Sequence, residues 1–407
     1  MSMGSRGDFR RAFGFRQNGF FWLGRVVGSA VNIWSELMSL GKNGRVVVAM
    51  SGGVDSSTTA AILKAEGYDV IGLTMHVWDQ TQDGKGDFGR CCSPGDIFDA
   101  RRVADQLGIP HYVVNFRQAF EREVVDYFVD EYLKGRTPNP CVLCNERIKF
   151  GLLLRKTEEL GAKALATGHY ARIDSGFPGK KDEPGRYLLR RGMDRAKDQS
   201  YFLFSVTQEQ LSKVLFPLGE KSKAEVRQQA QGLGLRVARK ADSQEVCFIP
   251  DDDYRSFMEK RKGKDIAKPG EIVNRQGKVL GLHRGLHSYT IGQRRGLGIA
   301  APHPHYVLAL DIPGNRLVAG TEEELMSKGL VAARLNWISF PRLEKKMEAL
   351  VQIRYRHPGA LAVVAPLEEG RVGVEFKTPQ RSVTPGQAAV FYRGDEVLGG
   401  GWIEKAL

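Results

Sequence analysis

Apolar and polar positions alternate most clearly in the first half of the chain. The run Val46-Val47-Val48-Ala49-Met50 reads as a buried strand, and Thr58-Thr59-Ala60-Ala61-Ile62-Leu63-Lys64 reads as the helix after it. The same unit recurs. A helical pattern closes at Glu66-Gly67 before Val70-Ile71-Gly72-Leu73, at Leu107-Gly108 before His111-Tyr112-Val113-Val114, and at Leu160-Gly161 before Ala164-Leu165-Ala166-Thr167. Glycine just past a helix end adopts the left-handed conformation that closes it, and strands alternating with helices imply right-handed crossovers. The pattern predicts an α/β domain with a doubly wound parallel sheet over about residues 45–205. Ligands of such sheets sit beyond the carboxyl ends of the strands, where residues 51–57, Met75 and Gly168-His169 fall.

Residues 206–265 read as a small, mixed central domain around the amphipathic stretch Lys221 to Gly234. From about 266 to 407 the texture becomes short strands separated by turn signals such as Pro269-Gly270, Pro313-Gly314-Asn315, Pro385-Gly386 and Arg393-Gly394-Asp395. This predicts antiparallel β-barrels. Residues 1–44 carry Arg6, Arg10, Arg11, Arg16 and Arg25 against Asp8 and Glu36, outside the pattern of the next segment. They read as an extension of a cytoplasmic protein, or as a transit peptide to an organellar matrix. Nowhere does an uncharged apolar run reach the roughly 18 residues that a membrane span needs.

Charge narrows the partners. The 407 residues contain 60 Lys plus Arg against 47 Asp plus Glu, a formal net charge of +13, with 42% hydrophobic residues. That combination describes a globular chain suited to a polyanion, with nucleic acid the first suspect. Gly292-Gln293-Arg294-Arg295-Gly296 and Arg354-Tyr355-Arg356-His357 supply the cations and rings that phosphate contact and base stacking use. The five cysteines are Cys91, Cys92, Cys141, Cys144 and Cys247. An odd number without a secretory signal argues against a disulfide framework.

The chemistry begins at Ser51-Gly52-Gly53-Val54-Asp55-Ser56-Ser57, between the first strand and the first helix. Glycines let the backbone approach an anion, hydroxyls add donors, and the helix adds the positive end of its dipole. Asp55 beside phosphate calls for a divalent cation, Mg²⁺. No Gly-x-x-x-x-Gly-Lys-[Ser/Thr] run is present. The segment instead resembles the PP-loop of N-type ATP pyrophosphatases, which cut ATP between the α and β phosphates and adenylate a substrate. Further along, Thr137-Pro138-Asn139-Pro140-Cys141-Val142-Leu143-Cys144-Asn145 predicts two thiols on a rigid loop, with a helix beginning at Glu146. A helix N-terminus and nearby cations favour the Cys144 thiolate. Cys247 follows in Asp242-Ser243-Gln244-Glu245-Val246-Cys247-Phe248. Cys91 and Cys92 read as buried or loop thiols.

Together the motifs are far more specific than singly. Ser51 to Ser57, Asn139-Pro140 with Cys144-Asn145, Ala166-Thr167-Gly168-His169-Tyr170, Lys197-Asp198-Gln199-Ser200-Tyr201-Phe202, Asp242-Ser243 with Cys247-Phe248-Ile249, Gly292-Gln293-Arg294 with Gly296-Leu297-Gly298, and Thr384-Pro385-Gly386-Gln387 occur in this order. Over residues 45–407 the chain resembles the tRNA-specific 2-thiouridylases of the MnmA type, with an adenine nucleotide alpha hydrolase-like first domain. The resemblance implies conversion of the wobble uridine of lysine, glutamate and glutamine tRNAs to 2-thiouridine, using ATP and sulfur from a relay protein or cysteine desulfurase. It implies that Ala49, Met50, Ser51, Gly52, Gly53, Val54, Asp55, Ser56, Met75 and Gly168 hold ATP. Cys247 would carry a persulfide, and Cys144 would be the nucleophile that closes a disulfide with it. Asn139, Pro140 and Cys141 would face the target base, while His169, Lys197, Asp198, Gln199, Arg354, Tyr355 and Gln387 would touch tRNA.

One position departs from the family pattern. Some members carry Asp where this chain has Cys141, which leaves the proton-transfer role unassigned and creates a set of three thiols, Cys141, Cys144 and Cys247. Such a set could hold an iron–sulfur cluster with one open site, a second route for sulfur delivery. Two other classes stand beside these: a PP-loop ligase acting on a small molecule, and a non-catalytic tRNA-binding protein with zinc at Cys141 and Cys144. His283, His287, His303 and His305 read as ordinary surface histidines.

Overall fold

The computed structural model describes residues 44–78, 94–177, 185–241, 246–249 and 253–407. The expectations on residues 1–43, on Cys91 and Cys92 and on Asp242-Ser243 lie outside the described residues. The first half contributes seven strands: β1 Arg45–Ala49, β2 Asp69–His76, β3 His111–Asn115, β4 Ala164–Ala166, β5 Ala171–Phe177, β6 Arg186–Arg191 and β7 Val214–Leu215. Five of them form one sheet in the order β3-β2-β1-β4-β7, every pair parallel. Val46, Val47 and Val48 at its centre are almost wholly buried, as a strand covered on both faces must be. Helix α1, Val54–Ala65, and helix α2, Pro94–Leu107, follow β1 and β2. Gly67, Gly108 and Gly161 have φ of +92°, +62° and +67°, the left-handed closures predicted from the sequence.

The segment expected to be a rigid cysteine loop is helical, a correction to the sequence reading. Asn139 accepts a hydrogen bond from the Val142 N–H and starts a turn at Pro140–Leu143, and wider π-type turns follow over Cys144–Leu153. Proline fits the first helical position because its missing N–H has no partner to lose there, so Pro140 starts the helix. Cys141 and Cys144 therefore lie within its first turns.

Hairpin β5–β6 leaves the parallel sheet. Glu396 and Val397 pair with Arg190 and Leu189, which adds the hairpin to the C-terminal sheet. That region first builds a small sheet from β8 Gly270–Val273, β9 Val279–His283, β10 Tyr306–Asp311 and β11 Arg316–Gly320, ordered β10-β11-β8-β9. The β11–β8 pair is parallel, unlike the purely antiparallel arrangement expected, because two hairpins lie side by side. The chain then forms β12 Met326–Trp337, β13 Met347–Gln352, β14 Ala360–Pro366, β15 Val372–Arg381, β16 Ala388–Arg393 and β17 Glu396–Ala406. These close in the order β12-β15-β14-β13-β16-β17 and back to β12, an antiparallel six-stranded barrel around Leu330, Val351, Val364, Val374 and Phe391. Closure removes the exposed sheet edges.

Barrel and α/β region share a core. Val390, Tyr392, Val397 and Trp402 of the barrel pack in one apolar cluster with Val47, Leu165 and Phe204. Among the described residues no helix is long and apolar enough to cross a membrane.

Candidate active site

The loop after β1 is shaped by its own side chains. The Ser51 N–H donates to Ser56 Oγ at 3.1 Å, and the Ser56 and Ser57 hydroxyls donate to the Gly53 carbonyl at 3.3 and 2.8 Å. Gly52 has φ +71°, and a Cβ there would lie 2.2 Å from the Asp96 carbonyl oxygen, so no other residue fits. Gly53 is different. Its backbone is extended, and a Cβ would meet only the Ser51 hydroxyl at 3.5 Å. The fold itself therefore does not require glycine at 53. Gly168 closes the other side, since its Cβ would sit 2.9 to 3.0 Å from Asp55 and the Ser56 nitrogen. Met75 lies near the end of β2, partly buried against the same core.

Asp55 stands in the first turn of α1, and its carboxylate is fully engaged. Lys223 donates to both oxygens at 2.8 Å, and the Tyr170 hydroxyl donates to one of them at 2.8 Å. Lys223 opens the helix Lys223–Gly232, whose start is fixed by a reciprocal cap between Ser222 and Glu225. Lys240 is the second cation at the loop, 3.2 Å from the Gly52 carbonyl oxygen and 2.6 Å from carboxylate oxygens of Asp96 and Asp99. Burial works against its charge, but hydrogen bonds to the two carboxylates outweigh that and raise its pKa. Sequence reasoning missed Lys223 and Lys240 and gave Tyr170, quoted within the Ala166-Thr167-Gly168-His169-Tyr170 motif, no role. The Ser222-x-x-Glu225 capping box was the available signal for Lys223, since it puts that residue at a helix start.

Cys144 and Cys247 are both half-buried against the shared core, and Cys141 is exposed. Phe248 anchors the Cys247 segment, with ring centroids 5.7 Å from Phe120, 5.3 Å from Phe128 and 6.2 Å from Trp78. The residues around Cys144 pack against the same helical run, 117–133, that carries Phe120 and Phe128. Beside Cys144, burial raises the Glu146 carboxyl pKa, opposed by Arg147 and Arg334.

The residues that the resemblance implied for tRNA contact divide into two groups. His169 is 8% exposed, sits between Phe150 and Phe216, and shares a 2.7 Å hydrogen bond with Thr167. Asp198 is buried and takes hydrogen bonds from Arg191, the Gly192 and Ser200 N–H groups and the Ser200 hydroxyl. Gln199 accepts from the Tyr170 N–H. Gln387 donates to the Thr137 and Pro138 carbonyls at 3.0 and 3.2 Å, joining the barrel to the chain before Asn139. Those four face inward or hold neighbours. Arg354 is exposed, whereas Lys197 and Tyr355 are half-buried, and the Tyr355 ring lies tilted by 38° against Phe202 with centroids 4.5 Å apart. Asn145 links that ring pair to the cysteine run by donating to the Phe202 carbonyl.

The loop offers one carboxylate, already ion-paired with Lys223, among hydroxyls and N–H groups. That set fits a Mg²⁺ carried by the phosphates of a nucleotide rather than an ion caged by the protein. Among the described residues no three His, Cys, Asp or Glu side chains are grouped to hold a metal ion. Cys141, Cys144 and Cys247 therefore do not fit a cluster in this arrangement. His283 and His287 are corrected from surface to core: they are 1% and 3% exposed, and they bond to the Asn315 carbonyl and to Glu259.

Comparison with known proteins shows the family of the chain. A family model described as a tRNA methyl transferase HUP domain matches residues 44–251, a PRC-barrel domain of that description matches 255–321, and an aminomethyltransferase beta-barrel domain matches 327–403. The tRNA-specific 2-thiouridylase MnmA of Geobacter metallireducens is 57% identical over 89% of this chain and 97% of that protein. The protein of the same name from Geotalea uraniireducens is 56% identical over 90% and 96%. Among solved structures, a 4-thiouridine synthetase–RNA complex with bound ATP aligns with TM-score 0.34 and 18% identity over 54% of this chain and 50% of that one, too distant to carry an argument. The chain belongs to the tRNA-specific 2-thiouridylase MnmA family.

Proposed function

We propose that the chain is an ATP-dependent tRNA-uridine 2-sulfurtransferase acting on the wobble uridine of lysine-, glutamate- and glutamine-type tRNAs. The observation that carries this is the packing of a phosphate loop, with Gly53 open to a ligand, and two half-buried cysteines onto one continuous core. Residues 49–56, Met75 and Gly168 would bind ATP, with Mg²⁺ arriving on its phosphates. Asp55 and Lys223 would balance charge at the loop. The division into units 45–205, 206–265 and 266–407 is retained as part of this reading, with the first hairpin of the C-terminal sheet supplied by β5 and β6.

The C2 oxygen of uridine leaves poorly until it becomes an adenylate, with pyrophosphate released. The terminal sulfur of a Cys247 persulfide then attacks C2, and AMP departs. Cys144 thiolate attacks the Cys247 sulfur, the S–S bond to the nucleoside breaks, and 2-thiouridine leaves as a Cys144–Cys247 disulfide forms. A thiol reductant resets the pair. The persulfide comes from a cysteine desulfurase or a relay protein. An iron–sulfur route is not favoured, because the three thiols are not grouped as ligands. Lys197, Arg354 and Tyr355 would meet tRNA directly, Asn139, Pro140 and Cys141 would face the base, and His169, Asp198, Gln199 and Gln387 would shape the surface from behind. We place the reaction in the cytoplasm, or in an organellar matrix if residues 1–44 are a transit peptide.

The test is pyrophosphate release with Mg-ATP and unmodified tRNA. Asp55→Asn should abolish it and leave tRNA affinity nearly intact. Equal release by the variant would remove the loop from the reaction.

A further inference from the structure

Just before Asn139, residues 134–138 are gripped from three sides. Gly135 has φ +72°, and a Cβ there would lie 3.0 Å from the Ile312 side chain and 3.3 Å from Leu310, so the chain passes hard against the end of β10. The barrel holds the residues that follow. The Thr137 N–H donates to the Pro385 carbonyl at 2.9 Å, Gln387 donates to the Thr137 and Pro138 carbonyls, and a Cβ on Gly386 would sit 2.8 Å from the Thr137 carbonyl oxygen. The remaining grip is Glu131, in the helix Asp126–Leu133. The Arg136 N–H donates to the Glu131 carbonyl at 2.9 Å, and the Arg136 guanidinium reaches back to Oε1 of the same residue at 2.5 Å.

The Glu131 side chain is 3% exposed, and a carboxylate is rarely that buried unless it is paired. Lys134 adds a contact to the same Oε1 at 3.4 Å. Oε2 and the Arg136 Nε are both buried without a hydrogen-bond partner among the described residues, so the guanidinium meets the carboxylate at one point instead of as a two-point fork. Burying a carboxylate costs desolvation that so incomplete a pairing does not repay, so stability does not account for it. What the contact does supply is direction. Both cations belong to the segment that follows the helix, and the Glu131 oxygen fixes where Arg136 points and hence how the backbone enters Thr137. Asn139 then caps the helical start that carries Cys141 and Cys144, by accepting from the Val142 N–H.

We propose that Glu131 is a positioning residue for thiolation: through Arg136 it sets the approach of Asn139, Pro140 and Cys141 to the target uridine. This rests on the reading that those residues face the base. The nucleotide loop lies on other elements, after β1 and at the start of α1, so ATP binding stands outside the effect. Misplacing a reacting group by about 1 Å costs on the order of 100-fold in rate, so the loss falls on kcat and not on either KM.

The experiment uses the full chain and reads tRNA-dependent pyrophosphate release at saturating tRNA and Mg-ATP, with ATP affinity from calorimetry and tRNA affinity from filter binding. Glu131→Gln keeps the shape and removes the charge. Its kcat should fall by about 10- to 100-fold with both affinities unchanged. Arg136→Met should lose the same factor and Arg136→Lys should recover part of it. Glu131→Gln combined with Arg136→Met should be no slower than either alone, because the two side chains act as a unit. A purely structural pair would lower ATP affinity and kcat together. That result overturns the proposal, as does a wild-type kcat in Glu131→Gln or losses that multiply in the double variant. The Arg136 side chain is 38% exposed, so if Glu131→Gln does not fold, Arg136→Met carries the test, and an unchanged kcat there overturns the proposal. Asn139→Ala tells the inference apart from the reading beneath it. A slow Asn139→Ala beside a normal Glu131→Gln overturns the inference alone; wild-type rates in both overturn the reading that this segment faces the base, and the inference with it.

Discussion

Lys223 donates to both carboxylate oxygens of Asp55 at 2.8 Å, joining the first turns of two helices far apart in sequence. A carboxylate inside a phosphate loop would repel its ligand. Lys223 neutralises it within the protein, and its side chain is only 12% exposed, so the pair is largely shielded from solvent.

Lys223→Met should therefore weaken Mg-ATP binding by about 10- to 100-fold, the worth of roughly 1.5–3 kcal/mol for a hydrogen bond to a charged group. Affinity for tRNA should not move. Calorimetry with ATP and filter binding with tRNA separate the two, and unchanged nucleotide affinity would take the lysine out of the site.

Gly168 makes a steric prediction. Gly168→Ala puts a Cβ within 2.9 to 3.0 Å of Asp55 and the Ser56 nitrogen, so the loop must shift. The expected cost is about 1–3 kcal/mol of stability, together with loss of pyrophosphate release. Gly67→Ala is the control: φ is +92° but nothing lies within 4 Å of the added carbon. It should cost about 1 kcal/mol and leave pyrophosphate release intact. Release by both variants at the wild-type rate would show that the loop tolerates displacement.

Gln387 reaches from the barrel to the carbonyls of Thr137 and Pro138. Gln387→Ala should lower stability by about 1–3 kcal/mol, because two hydrogen bonds are lost. It should slow sulfur transfer more than ATP binding, since the chain it holds leads into Asn139 and the cysteines. A parallel loss of both would mean the barrel supports the whole domain equally.

His169 gives the pH dependence. Burial, with the Lys149 ammonium adding to it, holds the imidazole pKa well below its ordinary value of 6.5. The unfolded chain then binds a proton more readily than the folded one as pH falls below about 6.5, so stability is complete above that pH and declines beneath it. Thermal unfolding at pH 8 and pH 5 should show a smaller acid loss in His169→Gln than in wild type. An equal loss would assign the acid sensitivity elsewhere.

Much of this was legible in local pattern. The run Val46 to Met50, the glycines at 52, 53, 67, 108 and 161, and the alternation of strands and helices already described the parallel sheet. The loop and both candidate cysteines were visible because their residue types and order are unusual. Lys223 and Lys240 were not, because each reaches the loop from a separate segment and a single lysine has no spacing to announce it, and Tyr170 stood in a quoted motif without a role. The helical start at Pro140 was legible but misread: two prolines suggested a loop, whereas proline at a first helical position favours the helix. The hairpin β5–β6 looked like part of the α/β unit because pairing with Glu396 and Val397 is set by tertiary contact alone.

Nucleoside mass spectrometry of an unmodified glutamate tRNA, incubated with the full chain, Mg-ATP, a sulfide source and a reductant, is the decisive measurement of the thiolation reaction. The expected product is a wobble uridine heavier by the difference between sulfur and oxygen, formed only with ATP and absent in Cys144→Ser. ATP turned over to AMP with no change in the uridine, or the same product from Cys144→Ser, would contradict it.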